Sequence, residues 1–126
     1  WQYYTPAEGL PDLKIKKIFQ DKSDRIWSIS ESGAALFNGS TWTPFLLAGI
    51  SSWAEDGSGS LWFASPNGLG RYDGSWKIIT TADGLSDDKV NCVSTAADGS
   101  IWIGTNNGAT HYKDGQYTIY RSITQN

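Results

Sequence analysis

The chain has 126 residues and a mass of 13.8 kDa, enough for one domain with little room for a second. Hydrophobic residues at 39% and charged residues at 18% place it away from both disorder and a bilayer interior, and no apolar run approaches the roughly 20 residues that span a membrane. A net charge of -3 and an isoelectric point near 4.9 argue against a phosphate-backbone partner, so no nucleic acid is expected. No charged-then-apolar leader opens the sequence, and a start at Trp1 fits either a processed chain or a segment of a longer one.

Fourteen Gly, seven Trp, six Tyr and no Met favour short strands and turns over helices. In chain order, an outer strand is expected near residues 1–5, a Gly-Leu loop at 9–12, and a strand over 14–19 whose alternation puts Ile15 and Lys17 on one face. Breaks at 22–24, 31–33 and 38–40 separate the next strands, the last an outer strand over 42–45. Further breaks at 56–59, 66–68 and 73–75 lead to an outer strand at 76–80. The last third reads most clearly, with strands over 89–94, 100–105, 109–112 and 116–120. The turns Asp98-Gly99, Asn106-Asn107-Gly108 and Asp114-Gly115 divide them.

These breaks recur because the sequence repeats. A shift of 75 lays residues 1–45 over 76–120 without a gap, matching Gly9-Leu10 with Gly84-Leu85, Ile26-Trp27 with Ile101-Trp102 and Gly33-Ala34 with Gly108-Ala109. A shift of 35 adds a middle copy, with Asp21 on Asp56, Trp27 on Trp62 and Phe37 on Tyr72. The middle copy carries Leu47-Ala48-Gly49 in place of the Gly-Leu segment, which composition reads as a deletable loop. Three copies of four short antiparallel strands predict an all-β propeller chain, with blades at about 1–45, 46–80 and 81–126 of one partial propeller.

The segments Gly84-Leu-Ser-Asp-Asp-Lys-Val and Asp98-Gly-Ser-Ile-Trp-Ile-Gly-Thr-Asn-Asn-Gly, followed by an aromatic strand, resemble the two-component regulator propeller repeat. The resemblance is close in the third copy, moderate in the first and weaker in the second. It implies an extracytoplasmic sensing module, periplasmic or extracellular, in which propeller loops read a ligand, often a glycan fragment, and a kinase elsewhere takes the signal. Tectonin-like lectin repeats compete, since Leu61-Trp62 followed by Gly70-Arg71-Tyr72-Asp73-Gly74-Ser75-Trp76 is similar to them. WD and kelch signatures are missing, and no Asp stands five residues before Trp27, Trp62 or Trp102 as in an Asp-box.

Three blades fall below the roughly four to eight that close a ring. The expected partner is therefore a second copy, forming a six-bladed homodimer, or the remainder of a longer chain. A stand-alone self-assembling lectin or repeat scaffold is the alternative. Four outer-strand candidates, at 1–5, 42–45, 76–80 and 117–120, stand against three copies of the rest, and the surplus one is expected to join a neighbouring chain's blade.

Catalytic chemistry is sparse, so the chain is expected not to be an enzyme and to need no cofactor and no metal. The single His111 lies on a third strand where the other copies have Leu36 and Arg71, which reads as a half-exposed strand residue. One Cys and one His make no zinc site, and Cys92 reads as a small buried residue. Trp27, Trp62 and Trp102 recur at one strand position and are expected in blade packing. Trp53 stands apart, aligned with Phe19 and Ser94, as a channel or ligand contact. Asn38-Gly39-Ser40 matches a glycosylation acceptor but also a tight turn.

The loops entering inner strands and those joining second to third strands share one end of each blade. They collect acids and amides, which suit sugar hydroxyls, and no nucleophile. The expected ligand contacts are Asp12, Trp53, Asn67, Asp87, Asn106 and Asn107.

Overall fold

A computed structural model describes residues 15–120, so the strand and loop expected over residues 1–12 lie outside the described part, and Asp12 with them. Twelve strands order this region into three four-stranded antiparallel sheets, the blades, each with its strands neighbouring in sequence order. The first holds β1 (Ile15–Gln20), β2 (Ile26–Ser30), β3 (Gly33–Phe37) and β4 (Trp42–Leu46). The second holds β5 (Ser52–Glu55), β6 (Leu61–Ser65), β7 (Gly68–Tyr72) and β8 (Trp76–Ile79). The third holds β9 (Val90–Thr95), β10 (Ile101–Thr105), β11 (Gly108–Lys113) and β12 (Gln116–Tyr120). The chain divides into two compact units, residues 1–50 with the first blade and 51–126 with the other two.

In the first blade the pleat sends Trp27 to one face, where Phe19 and Phe45 lie with ring centroids 6.5 and 5.9 Å away. The opposite face carries Ile26, Phe37 and Trp42 side by side in register, with Ile15 and Ala35 packed beside them. A bulge between Ile15 and Lys17 interrupts the alternation. Ile15 pairs with Ser30 and Ile18 with Ser28, so these two isoleucines share a face and Lys17 takes the other, which corrects the expected pairing of Ile15 with Lys17.

In the second unit β5 and β9 run side by side in the same direction. Ser51 Oγ donates to the Asn91 carbonyl at 3.3 Å, Ser52 Oγ to the Val93 carbonyl at 3.3 Å, and Thr95 Oγ1 to the Glu55 carbonyl at 2.7 Å. Between the two blades lies one apolar core. The second blade contributes Trp62, Ala64, Leu69 and Ile79, and the third contributes Val90, Val93, Ile101, Ile103 and Leu85. Each large side chain buried here is worth about 1.5–3 kcal/mol against exposure. The Arg71 guanidinium is held between rings of both blades, 4.8 Å over Trp62 and 5.1 Å over Tyr112.

The Gly-Leu segment is a structural part of the third blade and not a passive loop. Leu85 belongs to the core, the Ser86 amide donates to Thr110 Oγ1 at 3.1 Å, and the Ser86 and Thr105 hydroxyls lie 2.7 Å apart. Gly84 has φ +121, and a Cβ there would stand 3.2 Å from Tyr117 Cβ, so both backbone and space require glycine.

Trp27 and Trp62 are each anchored by an aspartate six residues earlier. Asp21 accepts from Trp27 Nε1, from the Ser23 and Arg25 amides and from the Arg25 side chain, while Asp56 accepts from Trp62 Nε1 at 2.9 Å and from the Ser58 and Ser60 amides. One carboxylate thus closes the turn before the second strand and satisfies a buried indole N–H. Burial pushes the Asp21 carboxyl up, but the bonds from Trp27, Arg25 and Ser23 outweigh it and hold the group below 3.8. A lowered folded-state pKa gives stability that is present above the ordinary value and lost as pH falls. Melting temperature should therefore drop between about pH 5 and pH 2, and Asp21→Asn should be less stable at pH 7 with a shallower acid limb, read by circular dichroism.

Ala96 replaces this aspartate in the third blade, and Trp102 departs from its counterparts. Trp27 and Trp62 are 0% exposed, whereas Trp102 is 40% exposed, stacked on His111 at 4.2 Å with Tyr120 at 5.6 Å. The expectation of a buried Trp102 is corrected: Trp62 is buried against the third blade, and no described blade follows the third. Cys92 is corrected for the same reason, because it pairs with Gly104 on this open face and is exposed. Trp62→Ala should cost about 3–5 kcal/mol in urea unfolding and Trp102→Ala about 1 kcal/mol or less. Equal losses would place Trp102 in a packed interior.

Candidate functional site

Register fixes which loops share an end. In the third blade Thr105 pairs with Val90, so the β10–β11 turn lies beside the segment entering β9. The Asn106 amide donates to the Lys89 carbonyl at 3.1 Å, and Asn91 Nδ2 donates to Asn106 Oδ1 at 2.9 Å. Asp87 accepts from the Lys89 amide at 2.9 Å in the same segment, and the Asn107 amide donates to Thr105 Oγ1 at 3.1 Å. Asp87, Asn106 and Asn107 are therefore gathered on one loop end, with Asn91 as a neighbour that the sequence did not single out.

Asn67 takes the corresponding place in the second blade, exposed at the tip of the β6–β7 turn, its amide donating to Ser65 Oγ at 3.0 Å. Ser51, next to the Asn91 carbonyl, links the two blades at this end. Trp53 is positioned differently from the expectation. Phe19, Ala54 and Ser94 pair with Trp27, Trp62 and Trp102, so Trp53 corresponds to Ile18 and Val93 and not to Phe19 and Ser94. It is half-buried in β5 opposite Phe63, one pleat away from the Trp62 face.

The cleft of the second unit lies at the other end. A volume of about 250 Å³ is bounded by the turns of Asp56, Gly57, Ser58, Asp98, Gly99 and Ser100, with Tyr112, Lys113 and Asp114 closing its side. The two Asp-Gly turns meet directly, the Gly57 amide donating to the Gly99 carbonyl at 3.0 Å. Bonds from the Ser100 hydroxyl and amide, and then from Lys113, hold the Asp98 carboxyl far below its ordinary value, and Asp98 raises Lys113 in turn. Ser100 Oγ also lies 2.8 Å from His111 Nε2. With the hydroxyl donating to Asp98 and accepting from His111, the proton of Ser100 points at the Asp98 carboxylate and not at the imidazole, and the residue is buried. That order does not make an activated serine.

Among the described residues no group of three or more His, Cys, Asp or Glu is placed to hold a metal ion. No helix there is long and apolar enough to cross a membrane.

Residues 84–107 match the family model of the two component regulator propeller. That stretch of the third blade is similar to a two component regulator propeller repeat. The matched stretch opens at Gly84, whose fit against Tyr117 and whose following Leu85 were described above, and closes at the Asn106-Asn107 turn. Two solved structures of the extracellular domain of BT4673 from B. thetaiotaomicron are similar to the chain. One, described as from a one component system, has 17% identity and a TM-score of 0.64 over 87% of this chain. The other, described as from a hybrid two component system, has 17% identity and a TM-score of 0.56 over 97% of this chain. The chain spans 19% and 23% of their lengths, so they share its blade fold over a small part of a larger protein. No curated protein matches the chain.

The spacing of glycines at the cleft floor has a mechanical consequence. Gly99 has φ +84, and a Cβ there would stand 3.0 Å from Gly57 Cα. Gly99→Ala should lower stability by about 1–3 kcal/mol through backbone strain and separation of the turns, read by thermal unfolding. A variant as stable as the parent would mean the two turns do not touch in solution.

Proposed function

We propose that the chain is a non-enzymatic ligand-reading part of an extracytoplasmic sensor propeller, periplasmic or extracellular, whose ligand is a carbohydrate. The observation that carries the reading is the gathering of Asp87, Asn91, Asn106 and Asn107 on the loop end, where amide and carboxylate groups are held in place by backbone hydrogen bonds. Sugar hydroxyls need donors and acceptors in pairs, and Asn offers both from one side chain. The likeness to extracellular domains supports the location. Signal output belongs to other segments of a parent protein.

The ring is completed by a second copy or by the remainder of a longer chain, because the third blade leaves Trp102 uncovered. The same open face favours a second reading, a self-assembling lectin or scaffold that acts without a kinase. Isothermal titration with oligosaccharides, after a glycan-array screen, tests the sugar reading. Binding is expected, with a loss of about tenfold or more in Asn67→Ala/Asn106→Ala, from removal of polar contacts worth about 1–3 kcal/mol. Binding that survives this pair of substitutions would move the site elsewhere, and an empty screen would leave a module without a sugar ligand.

A further inference from the structure

A bulge shapes the loop end of the third blade. Cys92 pairs with Gly104 and Val90 with Thr105, so Asn91 is the extra residue of β9 and has no ladder partner on β10. Bulges re-aim side chains, and this one turns Asn91 toward the β10–β11 turn, where its Nδ2 donates to Asn106 Oδ1 at 2.9 Å. The first blade has the same device at the positions equivalent under the 75-residue shift. Lys16 is the extra residue between Ile15 and Lys17, and its Nζ donates to Glu31 Oε1 at 3.1 Å. The chemistry of the two pairs differs. An ammonium only donates and a carboxylate only accepts, so Lys16 and Glu31 answer each other. Each Asn amide does both, and one bond between two amides leaves an acceptor on Asn91 and a donor on Asn106. Turning both amides over exchanges these roles and still leaves one of each. Both residues are exposed, and among the described residues nothing else takes up Asn91 Oδ1 or Asn106 Nδ2. The backbone holds the pair in place, since the Asn106 amide donates to the Lys89 carbonyl at 3.1 Å and Ser51 Oγ donates to the Asn91 carbonyl at 3.3 Å.

We infer that the Asn91–Asn106 pair reads the acetamido group of an N-acetylated sugar. This rests on the carbohydrate reading of the loop end and names the group of the sugar that is read. An acetamido group is planar and neutral, with an N–H for the free oxygen of one side chain and a C=O for the free N–H of the other. A sugar hydroxyl offers a single oxygen to both. Asp87 and Asp88 precede the pair in the same segment and favour a neutral group over an anionic one.

Isothermal titration with tetrasaccharide fragments of chitin, chitosan and cellulose tests this, because the three share one glucan backbone and carry acetamido, ammonium or hydroxyl at the second carbon. The chitin fragment should bind about tenfold or more tighter than either of the others, the size expected when a site built for a hydrogen-bonding group meets a ligand that lacks it. Asn91→Ala should bring the chitin and cellulose fragments to about equal affinity. Asn106→Asp should do the same, although its carboxylate still accepts from Asn91 and keeps the clip between bulge and turn; a purely structural clip would leave the preference intact in this variant. Equal binding of the chitin and cellulose fragments by the parent, or a preference that survives both substitutions, overturns the acetamido assignment and leaves the carbohydrate reading standing. So does a chitin fragment that stays unbound while another glycan of an array binds. An array without any bound glycan overturns both.

Discussion

Everything in this chain depends on covering one tryptophan per blade. A four-stranded sheet of this size cannot bury an indole by itself, since its two faces are each one residue thick. Trp62 reaches full burial because its own turn satisfies the ring nitrogen through Asp56 while the next blade lays Val90, Ile101 and Tyr112 across its face. The hydrogen bond fixes where the ring edge sits, and the apolar contact supplies the larger share of free energy. Both are missing from the third blade as described, which has Ala96 in place of the aspartate and no described blade after it, and there the indole stands open on His111.

The same geometry makes the Gly-Leu segment of the third blade more than a mere connection. Leu85 closes the end of the inter-blade core, Ser86 ties the segment to Thr105 and Thr110, and Gly84 lets the chain pass against Tyr117. The segment ahead of the second blade lacks that sequence, and there Leu47 is buried while the Leu47 and Gly49 amides donate to the Ser32 and Glu31 carbonyls of the first blade.

Strand and turn periodicity made the three blades legible, because Asp-Gly and Asn-Gly pairs mark the ends of strands too short to carry other signals. What periodicity does not carry is an element's position in the array. Trp62 and Trp102 look alike in sequence, yet Trp62 is buried against the third blade while no described blade follows Trp102. Trp53 was misaligned by one residue because the inner strands offer few matching side chains to hold an alignment, and the Ile15–Lys17 bulge shifts every face assignment made by counting in twos. The Asp21 and Asp56 anchors were visible as a shared six-residue spacing to tryptophan, which a search for a five-residue spacing passes over. Asn67, Asp87, Asn106 and Asn107 were placed on their loops by turn chemistry alone, whereas the cleft at the opposite end gave no signal, since Asp-Gly-Ser turns read only as turns.

The substitution of Ala96 bears on how firmly the third blade can be covered. Inside the chain, the indole N–H of Trp62 is buried together with its acceptor, so that donor is met. An interface built on Trp102 has no aspartate at position 96 to play that part, and its N–H must find water at the rim or forgo a hydrogen bond. A contact of equal apolar area is then weaker than the intrachain one by about 1–3 kcal/mol, the usual penalty for a buried polar group without its partner. His111 in place of Arg71 lowers it further, because an imidazole between two rings offers less cation–π attraction than a permanently charged guanidinium. The blade pair within the chain is thus the tight joint, and any joint made through Trp102 is the reversible one, sensitive to concentration and open to exchange.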